Sequence, residues 1–253
     1  MSVRPIFVVA GIGNSSGTGG ASARLFAKAG YNIALISRES DRLHKFAAEL
    51  KTGDTDAAAF PISDYNYRDV QSAFRAVRTR WPAADVRVAL FNAGFRIGKP
   101  FLEITEEELD RAMDTNVKAA FAFAREAIAV FRAQSIDEAR GGKRGTLLFT
   151  GATSSLRGNT TTAAFSAAKF ALRSLSQSLN KEFGRENIHV AHVVIDGGIV
   201  TDLSKSRRDD EWAANPDVAL SPESIAKSYL YLANQDRSAW TWELDLRPAH
   251  EKW

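Results

Sequence analysis

Six short runs of apolar, often β-branched residues recur along the chain, with amphipathic stretches between them. They read "IFVVAG" from Ile6, "NIALIS" from Asn32, "DAAAFPI" from Asp56, "VRVALFN" from Val86, "GTLLFTG" from Gly145 and "IHVAHVVI" from Ile188. Several are apolar almost throughout, the pattern of parallel strands covered on both faces. The intervening stretches carry helix signals. One opens near Gly17, runs through "ASARLFAKAG" and ends at Gly30, a good C-cap. A second opens at Thr105, where "TEEE" sets Glu108 three residues on as a capping box, and continues through "LDRAMDTNVKAAFAFAREAIAVF" to Phe131. A third begins at Ser221, where "SPES" puts Pro222 at the first helical position.

Strand and helix in alternation predict βαβ units and an α/β fold: a Rossmann-type doubly wound parallel sheet. No composition shift or repeat divides the 253 residues, so one domain over 1–253 is expected. The end of the chain behaves differently. "AWTWELDLR" alternates Trp240, Trp242, Leu244 and Leu246 with Thr241, Glu243, Asp245 and Arg247, which predicts a strand with two unlike faces near a sheet edge. "SIDEARGGKRG", Ser135 to Gly145, reads as a solvated polar loop.

Charge narrows the function classes. Lys and Arg number 33 against 30 Asp and Glu, and "KSRRDDE" alternates sign within itself, so no basic stripe suggests nucleic acid. With Cys 0, disulfides, thiolate metal sites and cysteine nucleophiles are excluded. The opening apolar run, Ile6 to Val9, is too short for a signal peptide or membrane span, which makes the cytoplasm the expected location. His189 and His192 lie three apart on a strand and face opposite sides, while His44 and His250 are distant, so no metal site is expected.

The chemistry concentrates at "AGIGNSSGTGGASARLFAKAG". Gly13, Gly17 and Gly19, with Ser15 and Ser16 between them, follow the first strand and open a helix. Backbone N–H groups there can bind a pyrophosphate. Dinucleotide sites choose their cofactor at the end of the second strand, where a carboxylate accepts from the ribose 2′-hydroxyl. This chain reads "ALISRES", with Ser37 at that position and Arg38 next to it, a pair suited to a 2′-phosphate. NADP(H) is therefore expected over NAD(H). Glu39 lies close enough to oppose that choice.

Together these motifs resemble the short-chain dehydrogenase/reductase family over nearly the whole chain. The family's glycine loop matches at Gly13, Gly17 and Gly19; its "NAG" matches Asn92, Ala93 and Gly94; its mid-helix asparagine matches Asn116. Its lysine matches Lys169, which in the family holds the nicotinamide ribose and lowers a tyrosine's pKa. The segment after the sixth strand matches "DGGIVT", implying cofactor contacts at Gly197, Ile199 and Thr201, although Asp196 replaces a proline. The resemblance also implies a homodimer or homotetramer, with the tail "WELDLRPAHEKW" packing across subunits.

Two departures fall on the reaction centre. The tyrosine position, one helical turn before Lys169, holds Phe165, and the serine position holds Ala152. A branch of the family with Phe at the tyrosine position, a similar "GAT" segment and a similar "ELDLRP" tail resembles this chain closely. Phe165 cannot supply a proton, and a positioned acid contributes ~10²–10⁴-fold. Ser154 is the leading substitute donor, and Lys169 acting through water is another. Three readings follow: an NADP(H)-dependent oxidoreductase acting on a small carbonyl, alcohol or activated double bond; a non-redox isomerase, lyase or cyclase in the same pocket; or a catalytically inactive NADPH-binding protein.

Overall fold

The computed structural model describes residues 3–251. All six apolar runs are strands: β1 (Ile6–Ala10), β2 (Asn32–Ser37), β3 (Ala57–Pro61), β4 (Val86–Phe91), β5 (Gly145–Thr150) and β6 (Ile188–Ile195), joined by β7 (Glu243–Leu246). They form one sheet in the order β3-β2-β1-β4-β5-β6-β7, and every pairing is parallel. Strands β1, β2, β4 and β6 are buried at every position, including the polar Asn32, Ser37, Arg87, His189 and His192 that they carry among apolar residues.

The helices are α1 (Thr18–Lys28), α2 (Ser40–Leu50), α3 (Tyr67–Arg80), α4 (Glu106–Met113), α5 (Ala119–Arg132), α6 (Ala163–Phe183), the short α7 (Asp202–Lys205) and α8 (Asp210–Ala214), and α9 (Pro222–Asn234). Two hydrophobic clusters lie on the two faces of the sheet. One joins α3, α5 and α6 to alternate residues of the strands; the other joins α1, α2 and α9 to the remaining ones. In the second cluster Phe26 stacks on Phe7 with ring centroids 4.0 Å apart and meets Tyr31 edge-on at 5.2 Å. Truncating such a ring to alanine costs ~3–5 kcal/mol.

The predicted caps are present. Gly30 turns the chain at φ +89° after α1, Thr105 and Glu108 form the capping box of α4, and Ser221 caps α9 with Pro222 behind it. The predicted helix from Thr105 to Phe131 is, however, interrupted by a π-helical turn at Asp114–Lys118. Asn116 sits in that turn, and its amide donates to Ala112 O at 2.8 Å and to Phe95 O at 2.9 Å. A side chain competing for an i−4 carbonyl favours the wider turn.

Two other expectations are corrected. The polar segment from Ser135 is pinned rather than solvated: Asp137 and Lys143 pair in an antiparallel bridge. Lys143 is buried, with its ammonium donating to the Gln235 carbonyl. The final strand covers Glu243–Leu246 and leaves both tryptophans outside it. Trp240 instead stacks on His189 at 4.9 Å, and Arg173 lies over the Trp242 ring at 5.7 Å. Lys252 and Trp253, part of the tail expected to pack across subunits, lie outside the described residues.

Candidate functional site

Strand order reverses between β1 and β4, and the loops leaving their carboxyl ends diverge there into a cleft of about 540 Å³. In doubly wound sheets this is the place where ligands bind. The loop after β1 is built from left-handed residues, with φ +93° at Gly11, +59° at Gly13 and +68° at Ser15. A Cβ at Gly11 would lie 2.3 Å from Ala93 N, and one at Gly19 would lie 2.4 Å from the Gly11 carbonyl oxygen. Gly19 thus serves close packing of α1 onto β1, whereas Gly13 and Gly17 line the open cleft. Gly11 was not among the sequence candidates; its closeness to Gly13 was the available signal.

Ser16 is engaged on both sides: its hydroxyl donates to Asn14 Oδ1 at 2.7 Å and accepts from Asp202 N at 3.0 Å. Asn14 Nδ2 donates to Asp202 Oδ2 at 3.0 Å, so α7 is tied to the glycine loop. Thr201 lines the cleft, but its hydroxyl caps α7 by accepting from Ser204 N at 3.1 Å. Ile199 pairs with Leu220 in a bridge, and Gly197 faces Pro248 where a side chain would stand.

At the other end of the cleft stand Ser37, Arg38, Glu39, Arg42 and Tyr65. The Arg38 guanidinium lies 5.5 Å from the centre of the Tyr65 ring. Burial pushes the Tyr65 hydroxyl up to about 12, against the opposing pull of Ser37 and Arg38. Glu39 is ion-paired with Arg42 at 2.9 Å. Sequence reasoning missed Tyr65, because only the alignment of β3 beside β2 brings it to the end of Ser37.

Asn92, Ala93 and Gly94 form the floor. Asn92 Nδ2 donates to Gly11 O at 2.7 Å, and its Oδ1 accepts from Thr150 Oγ1 at 2.9 Å. Above Gly94 the expected reaction-centre residues come together: a Cβ there would lie 3.3 Å from Asn116 Oδ1 and 3.8 Å from Lys169 Nζ. Lys169 is 5% exposed, and its Nζ donates to Thr150 O at 2.9 Å. Burial without a carboxylate partner lowers its pKa to about 8. The Phe165 ring stands 5.7 Å from the same Nζ.

Ala152 begins the turn after β5, with its N–H donating to Ser155 Oγ at 3.1 Å. Ser154 is buried, and its hydroxyl makes no hydrogen bond among the described residues. The neighbouring Thr153 donates instead to Asp196, a fully buried carboxylate also paired with Arg157 at 3.4 Å and Arg247 at 3.1 Å. Asp196 was visible in sequence as a replaced proline; its partners were not. Among the described residues no His, Cys, Asp and Glu cluster could hold a metal, and no helix is long and apolar enough to cross a membrane. His189 and His192 are both buried, and burial lowers each to about 4.

A parallel doubly wound sheet with a glycine-rich turn at its switch point defines a dinucleotide-binding type of protein. The short chain dehydrogenase profile matches residues 7–212, and the chain belongs to that family. Among similar proteins, an uncharacterised oxidoreductase of Listeria monocytogenes is 26% identical over 249 residues, covering 95% of this chain and 96% of that protein. A 3-oxoacyl-acyl-carrier-protein reductase of Chlamydia muridarum is 26% identical over 232 residues, 89% of each chain. Among solved structures, a short-chain dehydrogenase from Rhodopseudomonas palustris superposes with a TM-score of 0.78 at 29% identity, covering 98% of this chain and 100% of that one.

Proposed function

We propose that this protein is an NADP(H)-dependent oxidoreductase acting on a small carbonyl, alcohol or activated double bond through an altered reaction centre. The observation that carries the reading is Lys169: a buried ammonium that stands with Asn116 beside Gly94, which lines the same cleft as Ser37 and Arg38. The cofactor fits the residues present. The Gly13–Gly17 turn would receive the pyrophosphate with Ser15 and Ser16 flanking it, Arg38 the 2′-phosphate, and Lys169 and Thr201 the nicotinamide riboside, with Gly197 and Ile199 backing it. Solved relatives at lower identity, including a metagenomic short-chain oxidoreductase with NADP, share the fold. Bound there, the cofactor supplies or accepts hydride.

The chain's own residues must then handle the proton. Phe165 is buried with its ring 5.7 Å from Lys169 Nζ and has no proton to give. The Ser154 hydroxyl, which makes no hydrogen bond among the described residues, would donate to a substrate oxygen, and the Lys169 ammonium, with its pKa lowered to about 8, would give or take a proton near neutral pH. The first experiment is calorimetric titration with NADPH, NADP⁺ and NADH in parallel, followed by absorbance at the nicotinamide band over a carbonyl and enone panel. NADPH binding at micromolar strength or better with turnover supports the reading. Absence of any nicotinamide binding overturns it. Binding without turnover favours the second reading, a non-redox enzyme or NADPH-binding protein, for which the loss of both hydroxyls at Ala152 and Phe165 is the motivating observation.

A further inference from the structure

The end of the cleft near Ser37 contains two contacts that no cofactor is needed to form. Arg38 is an exposed side chain at the end of β2, yet its guanidinium is seated over the Tyr65 ring at 5.5 Å. Tyr65 itself is only 6% exposed and comes from the segment after β3. Burial fixes the ring, and its hydroxyl makes only a long 3.5 Å contact with Ile36 O. An arginine on a flexible stem loses rotamer freedom when it engages a phosphate. Stacked on a fixed ring, it surrenders part of that freedom in advance, while its planar edge keeps donors directed outward. The second contact concerns Glu39, the carboxylate that lines this end of the cleft among the described residues. It is held by Arg42 at 2.9 Å, one turn along α2.

We infer that Tyr65 is a positioning residue for cofactor choice: its ring holds the Arg38 guanidinium where a 2′-phosphate would sit, while Arg42 keeps Glu39 from serving a free 2′-hydroxyl. The inference rests on the NADP(H) reading above and adds the residues that enforce it. Tyr65 touches Arg38, and its contribution reaches the phosphate through that side chain.

The test is binding, read by calorimetry on the intact chain with NADPH, NADH and 2′,5′-ADP. Tyr65→Leu removes the ring, Tyr65→Phe keeps the ring and removes the hydroxyl, and Arg38→Lys keeps the charge and removes the stacking plane. An exposed cation–π contact corresponds to a change of about two- to fivefold. NADPH and 2′,5′-ADP should therefore weaken about two- to fivefold or more in Tyr65→Leu and in Arg38→Lys, with NADH unchanged and Tyr65→Phe like wild type. Arg42→Ala should strengthen NADH relative to NADPH. Equal weakening of NADPH and NADH in Tyr65→Leu would reduce Tyr65 to a packing residue and overturn the inference, as would no change in either. If Tyr65→Leu fails to fold, Tyr65→Met, which fills similar volume without a ring, is read by the same NADPH to NADH ratio. Wild type that binds neither nicotinamide defeats the oxidoreductase reading first, and this inference with it. Wild type that binds NADPH while the ratios stay fixed defeats only the inference.

Discussion

Replacing Lys169 by methionine isolates the cost of its buried ammonium. Burial is the sole cause of the depression from 10.5 to about 8, which corresponds to roughly 3 kcal/mol favouring the neutral amine in the folded state. The sign follows from proton counting. Between pH of about 8 and 10.5 the unfolded chain holds the Lys169 proton and the folded chain does not, so wild-type stability gains with rising pH across that window. Below pH of about 8 both states are charged and the folded state bears the full penalty. Lys169→Met has about the same length, carries no charge and lacks this dependence. At neutral pH its absolute stability reflects two opposing changes: relief of about 3 kcal/mol of desolvation and loss of the bond to Thr150 O, worth ~1.5–3 kcal/mol for a charged donor. The decisive quantity is therefore the slope. Urea unfolding of both proteins, followed by tryptophan fluorescence at intervals from neutral pH upward, should show wild type gaining roughly 3 kcal/mol on the variant as pH rises through the window. A difference constant with pH would mean that Lys169 titrates like a lysine in water, and the reasoning about its acid strength would fail with it.

Three further perturbations follow from the geometry. Phe165→Tyr restores a hydroxyl one helical turn before Lys169; turnover of a carbonyl substrate, measured at the nicotinamide band, should rise by ~10²–10⁴-fold with cofactor affinity unchanged. Gly19→Ala drives a Cβ to 2.4 Å from Gly11 O and should lower stability by ~1–3 kcal/mol or more, whereas Gly184→Ala, at φ −56° with nothing within 4 Å, should raise it by ~0.4–1 kcal/mol; a thermal melt shifted upward for the first, or downward for the second, would contradict that assignment. Asp196→Ala leaves Arg157 and Thr153 without their shared carboxylate and should cost roughly 3 kcal/mol in chemical denaturation, a loss that Asp196→Asn recovers only in part through its bond with Thr153.

Sequence by itself determined the six apolar strands, because a strand covered by helices must be apolar at nearly every position and that pattern survives without tertiary information. It determined the capping of α4 and α9, since Thr105 with Glu108 and Ser221 with Pro222 act within one turn of chain. The glycine-rich turn and the pairing of Phe165 with Lys169 were equally legible, being local spacings on a loop and a helix. What only the tertiary structure decided depends on residues far apart in sequence. The π-turn at Asn116 needs the carbonyl of Phe95, 21 residues away, to hold the amide. Lys143 in a polar run is buried because Gln235 supplies a carbonyl from the far end of α9. Tyr65 enters the cleft through the register of β3 on β2, and Asp196 gathers Thr153 and Arg157 from the turn after β5 and Arg247 from the segment after β7. The proton-bearing properties of Lys169 belong here too. Spacing places it on a helix, but its low pKa arises from the absence of water and of a carboxylate around it, and that surrounding is assembled only when the sheet, the π-turn and α6 come together.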